Sequence, residues 1–186
     1  MPFIPTGFPG LLIYEPVVHG DTRGYFFESY NANTFSKDNI NIVFVQDNQA
    51  RSTYGVLRGL HFQQNPYAQT KLIRALEGAI LDVVVDIRVG SPTYGKVFSI
   101  ELSAANKKQL LVPRGFAHGY SVLSETAEVF YKCDAFYNKQ SEGGVIYNDR
   151  ALHIDWRVPA DKILLSPKDT EYPTLADCKH NFVFEP

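Results

Sequence analysis

The clearest alternation of apolar and polar positions covers residues 78–88. Leu81, Val83, Val85 and Ile87 fall on one face at period two, and Asp82, Asp86 and Arg88 share the other with Ile80 and Val84. Shorter stretches of the same kind recur along the chain at 11–15, 43–51, 55–63, 69–78, 96–102, 110–112, 116–122 and 128–136. An aromatic strand is expected at 25–30, and one or two helical turns at 33–38. Turn signals separate these runs: Asp21-Thr-Arg23-Gly24, the Pro66 segment, Gly90-Ser-Pro-Thr-Tyr-Gly95 and Pro113-Arg-Gly115. About nine or ten short strands with almost no helical period predict an all-β barrel or sandwich. No linker or repeat divides the chain, so residues 1–186 read as a single domain. The Pro/Gly-rich start and the last dozen residues read as arms packed on a partner.

Composition narrows the function classes. A net charge of −2 supplies no global basic field for nucleic acid or an anionic membrane surface, so an anionic ligand would be held by local Arg and Lys. The 13 Phe and 11 Tyr favour strands and lined pockets. Cys133 and Cys178 lack metal-ligand spacing and are too few for a disulfide scaffold. No run approaches the roughly 18 apolar residues of a membrane span, and MPFIPTGFPG has no signal-peptide pattern. The expected home is the cytoplasm.

Three cationic or titratable residues interrupt the apolar runs around one hairpin: Arg58 and His61 in Leu57-Arg-Gly-Leu-His-Phe-Gln63, and Lys71 in Lys71-Leu-Ile-Arg74. A lone strand histidine is more often a satisfied core residue and a lone lysine an exposed one. Their clustering shifts the balance toward a site. An imidazole suits proton abstraction at neutral pH, and an ammonium in a cavity suits a developing oxyanion. Strict alternation puts Arg58 and His61 on opposite faces; a bulge at Gly59 would turn both inward. A carboxylate partner for His61 could be Asp169, Asp82 or Asp86, and the pattern does not choose among them. Tyr131 shares a face with Val129 and Cys133, consistent with an inward phenol. Arg23, Arg58 and Lys168 together could hold a pyrophosphate. Gln46, Asp47 and Asn48 sit inside an apolar run and need partners if buried. His118 raises the question of metal, but position 63 is Gln and Lys71 stands where a ligand acid would be needed, so no metal is expected.

Taken in order, these segments resemble the dTDP-4-dehydrorhamnose 3,5-epimerase family. The likeness is carried by Asp21-Thr-Arg23-Gly-Tyr-Phe-Phe-Glu28, Val45-Gln46-Asp-Asn48, Leu57-Arg-Gly-Leu-His61-Phe-Gln and Lys71-Leu-Ile-Arg. It continues through Leu81-Asp-Val-Val-Val-Asp-Ile-Arg, Ser91-Pro-Thr-Tyr-Gly, Pro113-Arg-Gly-Phe-Ala-His118-Gly, Tyr131-Lys-Cys, Asn148-Asp149, Ile154-Asp155-Trp156 and Ser166-Pro-Lys168-Asp169. The resemblance implies a cupin-type double-stranded β-helix (jelly roll), a homodimer and no cofactor. It makes His61 the base, Asp169 its dyad partner, Tyr131 the acid on the opposite face of the sugar and Lys71 the enolate stabiliser. It assigns Arg58, Gln46, Asn48, His118, Glu142 and Lys168 to substrate binding and Tyr137 to stacking on thymine. Arg23 and Glu28 are implied to reach the site of a neighbouring subunit.

The implied reaction inverts C5 and C3 of dTDP-4-keto-6-deoxy-D-glucose, giving dTDP-4-keto-L-rhamnose. Rival readings are a single-position epimerase or ketoisomerase on the same nucleotide sugar, a noncatalytic nucleotide-sugar binding module, and a metal-dependent cupin oxygenase. The chain departs from the family pattern at Asn138-Lys139, Tyr147 and Arg157, all expected near the nucleotide end.

Overall fold

The computed structural model describes residues 2–185. Among them thirteen strands form, several only three residues long: β1 (Phe3–Pro5), β2 (Leu12–Tyr14), β3 (His19–Asp21), β4 (Gly24–Phe26), β5 (Gln46–Thr53), β6 (Leu57–Gln63), β7 (Lys71–Glu77), β8 (Ala79–Asp86), β9 (Val97–Ser103), β10 (Gln109–Val112), β11 (Phe116–Val122), β12 (Thr126–Cys133) and β13 (Glu142–Gly144). One short helix, α1 (Ala32–Lys37), stands where the helical turns are predicted, capped by the Asn31 side chain on the Asn33 N–H. A six-stranded antiparallel sheet has the order β1-β2-β10-β7-β12-β5, and a five-stranded one the order β13-β6-β11-β8-β9. From β5 to β13 every consecutive pair except β8–β9 switches between the sheets, which is how a jelly roll closes. The all-β cupin-type fold is therefore as expected, with more strands than predicted because three-residue strands carry no readable period.

Three apolar layers stack through the molecule. Between the sheets, Ile73, Leu110 and Val129 from one face meet Ile80, Val84, Leu102, Phe116 and Val122 from the other. Outside the five-stranded sheet, Leu57, Leu60, Phe62, Leu81, Val83, Val85 and Ile87 pack under Val145, Leu152, Trp156 and Phe182 of the later chain. Outside the six-stranded sheet, Leu72 and Leu111 pack with Phe3, Tyr14 and Phe35. This explains the β8 pattern: its two faces feed different cores, so the strand is buried nearly throughout.

Two expectations need correction. The chain ends are tied to their own chain: β1 pairs with β2, Phe182 is buried, and the Phe184 N–H donates to the Val89 carbonyl at 2.9 Å. The aromatic strand at 25–30 is also shorter. Only Gly24–Phe26 is extended, in an exposed hairpin with His19–Asp21, while Tyr30 turns in to pack edge-on against Phe35 and Phe44.

Asp86 belongs to the scaffold. Its carboxylate accepts from the Arg88 guanidinium at 2.9 and 2.7 Å, and from the Ser91 and Thr93 hydroxyls, each at 2.6 Å. The same guanidinium lies 4.5 Å from the Phe116 ring and 5.1 Å from Phe184. Ser91-Pro-Thr is thus explained as a turn that satisfies a buried carboxylate. Asp86→Ala leaves the Arg88 charge buried and unpaired, and we expect a loss of about 3–5 kcal/mol in urea-unfolding stability.

Candidate active site

Two adjoining chambers open at one end of the gap between the sheets. The larger, about 400 Å³, is lined by Arg58, His61, His118, Gly119 and Tyr120 of the five-stranded sheet and by Ala50, Lys71 and Tyr131 of the six-stranded sheet. Residues Leu164, Leu165, Ser166, Lys168 and Asp169 close its side. The smaller, about 270 Å³, shares His61, Lys71 and Tyr131 and adds Gln46, Asn48, Gln63, Gln69, Tyr137 and Glu142. Every expected site residue except Arg23 and Glu28 lines one chamber or the other.

The bulge predicted at Gly59 exists. β6 and β11 pair at His118↔His61 and again at Tyr120↔Arg58, so three steps on β6 match two on β11. Leu57 and Leu60 both point to the outer core, and Arg58 and His61 both face the cavity. The bulge needs glycine on both strands. Gly59 has φ +121°, and a Cβ there would lie 2.5 Å from the Gly119 Cα; a Cβ on Gly119 would lie 2.6 Å from the Arg58 carbonyl oxygen.

Each of the three candidate aspartates has a different partner. Asp169 Oδ1 meets His61 Nε2 at 2.5 Å, and the Ser166 hydroxyl donates to Oδ2 at 2.8 Å. Asp82 Oδ1 meets His118 Nε2 at 2.8 Å on the neighbouring strand, and Asp86 holds Arg88. Burial pushes the Asp169 carboxyl up, but the hydrogen bonds from His61 and Ser166 outweigh it and hold the group below the usual carboxylate range. With Nε2 against Asp169, His61 presents Nδ1 as its other nitrogen.

Tyr131 and Lys71 stand on the opposite sheet, the Lys71 ammonium 5.9 Å from the Tyr131 ring centroid. Burial, with smaller contributions from Cys133 and Tyr120, pushes the Tyr131 phenol up to about 12, so it keeps its proton at neutral pH. Burial also pushes the Lys71 ammonium down, opposed by Cys133, Asp82 and Glu142. No side chain among the described residues accepts a hydrogen bond from Lys71 Nζ. Nor does any group of three or more His, Cys, Asp or Glu among them come together to hold a metal ion.

The polar interruption in β5 also resolves. Gln46, Asn48, Ala50 and Ser52 turn inward while Asp47, Gln49, Arg51 and Thr53 face out. Gln46 donates to Asn48 at 3.0 Å and accepts from the Tyr137 N–H at 3.0 Å. Ser52 accepts from the Arg58 guanidinium at 3.3 and 3.2 Å. At the outer lip, Glu142 accepts from the Tyr137 hydroxyl at 3.0 Å and pairs with Lys168. Burial raises the Glu142 carboxyl, yet Lys168 and Tyr137 together hold it below its ordinary value.

Arg23 and Glu28 lie apart. Arg23 projects from the exposed hairpin and bonds Asp21 at 2.5 Å, and Glu28 accepts from Asn31 at 3.0 Å. Of the departures from pattern, Asn138 donates its N–H to Gln63 at 2.6 Å behind the smaller chamber. Tyr147 and Arg157 are not at that end. The Tyr147 carbonyl accepts from Trp156 at 2.9 Å in the outer layer, and Arg157 reaches Glu101 at the surface, 3.7 Å away. Sequence reading missed Ser52, Asp82 as the partner of His118, Tyr120, Ser166 and Tyr172; only their three-dimensional neighbours mark them.

A family model described as dTDP-4-dehydrorhamnose 3,5-epimerase matches residues 5–177. The Shigella flexneri protein named dTDP-4-dehydrorhamnose 3,5-epimerase is 48% identical over 181 residues, covering 97% of this chain and 99% of its own. The crystal structure of an enzyme of the same name from Elizabethkingia anophelis superposes with a TM-score of 0.91 at 52% identity, over 94% of this chain and 96% of that one. The dTDP-6-deoxy-D-glucose-3,5-epimerase of Legionella pneumophila, solved with dTDP-4-keto-L-rhamnose, gives 0.89 at 45% identity, over 94% and 93%.

Two outcomes follow from this geometry. Gly119→Ala drives a methyl into the Arg58 carbonyl; we expect a loss of about 1–3 kcal/mol in thermal stability and a broken His61–Asp169 contact, read from the imidazole N–H signal in NMR. Because the Asp169 carboxyl is depressed on folding, its contribution is complete above the ordinary value of about 3.9 and fades as pH falls through the lower folded value. Asp169→Asn should remove that part of the acid loss in pH-dependent melting.

Proposed function

The chain belongs to the dTDP-4-dehydrorhamnose 3,5-epimerase family, and from that premise we propose that it inverts C5 and C3 of dTDP-4-keto-6-deoxy-D-glucose, giving dTDP-4-keto-L-rhamnose. The observation that carries this reading is that His61 and Tyr131, from opposite sheets, line one cavity with Lys71 between the chambers. The C4 ketone acidifies the protons at C5 and C3. His61 Nδ1 takes one, and the C–H electron pair moves into an enolate with its charge on the C4 oxygen. The Lys71 ammonium, with no side-chain acceptor among the described residues, stabilises that oxygen. Tyr131 then delivers its proton from the other face, and the centre is inverted. His61 returns its proton to solvent and the tyrosinate recovers one, which readies the pair for the second carbon. The scheme moves protons alone and calls for no cofactor.

His61, Asp169, Tyr131 and Lys71 are the catalytic set in this reading. Gln46, Asn48, Tyr137 and Glu142 hold the nucleotide end; Arg58 and Lys168 meet the pyrophosphate, and His118 meets the sugar. One domain carries all of these.

Arg23 and Glu28 enter from a second copy of the chain in a homodimer. The two-stranded hairpin supports this. Its strands are exposed throughout, with Tyr25 62% and Phe26 67% accessible, and two strands without cover are marginal in water. A cytoplasmic location is supported by the two free thiols, Cys133 and Cys178. Among the described residues no helix is long and apolar enough to cross a membrane.

Incubation of the keto-sugar nucleotide with the protein in D₂O should place deuterium at both C3 and C5, read by NMR and mass spectrometry. Label at one carbon would make it a single-position epimerase, and no label would make it a binding module. His61→Ala should cut exchange by about 10²- to 10⁴-fold while dTDP still binds by calorimetry; exchange at the parent rate would refute the assigned base. Light scattering should give a dimer, and Arg23→Ala should raise KM roughly 10- to 100-fold with little change in kcat.

A further inference from the structure

We propose that Tyr172 is a positioning residue for the base: its ring fixes the plane of the His61 imidazole and favours the imidazolium that forms when His61 takes a proton. The inference rests on the reading of His61 as base given above. Tyr172 follows the short turn Pro167–Thr170 that carries Lys168 and Asp169. Its ring centroid lies 5.5 Å from that of His61, with the planes at 63°. This edge-to-face approach directs the electropositive rim of one ring at the face of the other. The Lys168 ammonium lies 5.9 Å from the same ring. With Tyr172 as the ring that offers its face, the imidazolium formed on proton transfer and the Lys168 ammonium both lie within the range of a cation–π contact.

The seat for this ring is built into the backbone. β13 presents Gly144 beneath it, and a Cβ at that position would come within 2.7 Å of the ring carbons. Among the described residues the buried Tyr172 hydroxyl has no well-formed hydrogen bond; the Lys168 ammonium beside it offsets only part of the rise that burial gives the phenol. Packing of the ring is therefore what fixes it. Asp169 grips His61 at Nε2 alone, which leaves rotation about that contact open; the ring beside the imidazole closes it. The charged and titratable groups around His61 are Asp169 and Lys168 from the turn, Glu142 from β13, Arg58 from β6, His118 and Tyr120 from β11, Lys71 from β7, Tyr131 from β12 and Tyr137 after it. Of these only Asp169 bonds the imidazole, and the Tyr172 ring lies edge-to-face with it.

The experiment measures kcat and KM against pH for the full-length protein and its Tyr172 variants, with His61 followed by histidine-labelled NMR. Tyr172→Met, which fills the space without a π-face, should move the acid limb of kcat down by about half a pH unit and lower kcat roughly two- to fivefold. KM and dTDP affinity should stay unchanged. Tyr172→Phe should restore both quantities, since the ring and not the hydroxyl makes the contact. Fluorinated phenylalanines placed at 172 keep the shape while draining charge from the face, so they test the idea even if the Met variant does not fold. The limb should fall stepwise with fluorination. A flat response, a Phe variant as impaired as Met, or a defect confined to KM would overturn the proposal. Loss of exchange in His61→Ala beside a flat Tyr172 series removes only this inference; exchange surviving in His61→Ala removes the reading beneath it.

Discussion

The turning of both Arg58 and His61 into the cavity depends on two backbones touching. Gly59 and Gly119 approach so closely that no side chain fits on either, and that contact lets β6 take one residue more than β11 between fixed pairs. Without the extra residue, Arg58 and His61 would lie on opposite faces of the strand, one of them in the outer apolar core. With it, strand alternation resumes beyond the bulge and Phe62 returns to the outer layer as Leu60 and Leu57 do. The site is thus a local fault in a regular sheet, held by the regular parts around it.

The two sheets divide the chemistry. The five-stranded sheet contributes two histidines in register, each with its own carboxylate partner. The six-stranded sheet contributes the phenol and the ammonium, both shifted by burial away from their ionised forms. His61 faces Tyr131 and Lys71 across the cavity, their separation set by the apolar layer between the sheets and by the Arg58–Ser52 bond that joins the sheets beside them. In the proposed reaction a proton leaves to one side and arrives from the other.

Much of this was readable in the chain. Period two in residues 78–88 gives β8 and its two faces, and the apolar flanks of Val129 and Cys133 turn Tyr131 inward. Gly59 marked the bulge because glycine in a strand signals either a bulge or a close backbone contact. What could not be read was long-range pairing. Asp82, Asp86 and Asp169 are equivalent by sequence spacing, and only the register of β8 on β11 and the return of the turn Pro167–Thr170 to β6 separate them. Gly144 and Tyr172 are likewise unremarkable until β13 lies beside β6. The exposed hairpin shows the opposite failure: its aromatic run looked like a longer strand because aromatics favour strands, whereas most of it lacks a neighbouring sheet.

Lys71 is a half-buried ammonium for which no side chain among the described residues serves as acceptor, and burial disfavours its charge. Folding has already met the cost of that burial, so a ligand that brings a negative oxygen to the spot relieves it, while a neutral carbonyl relieves little. Flat, anionic mimics of the enolate should for that reason be held far more firmly than compounds shaped like the starting ketone, and they are the natural templates for inhibitors of this cavity.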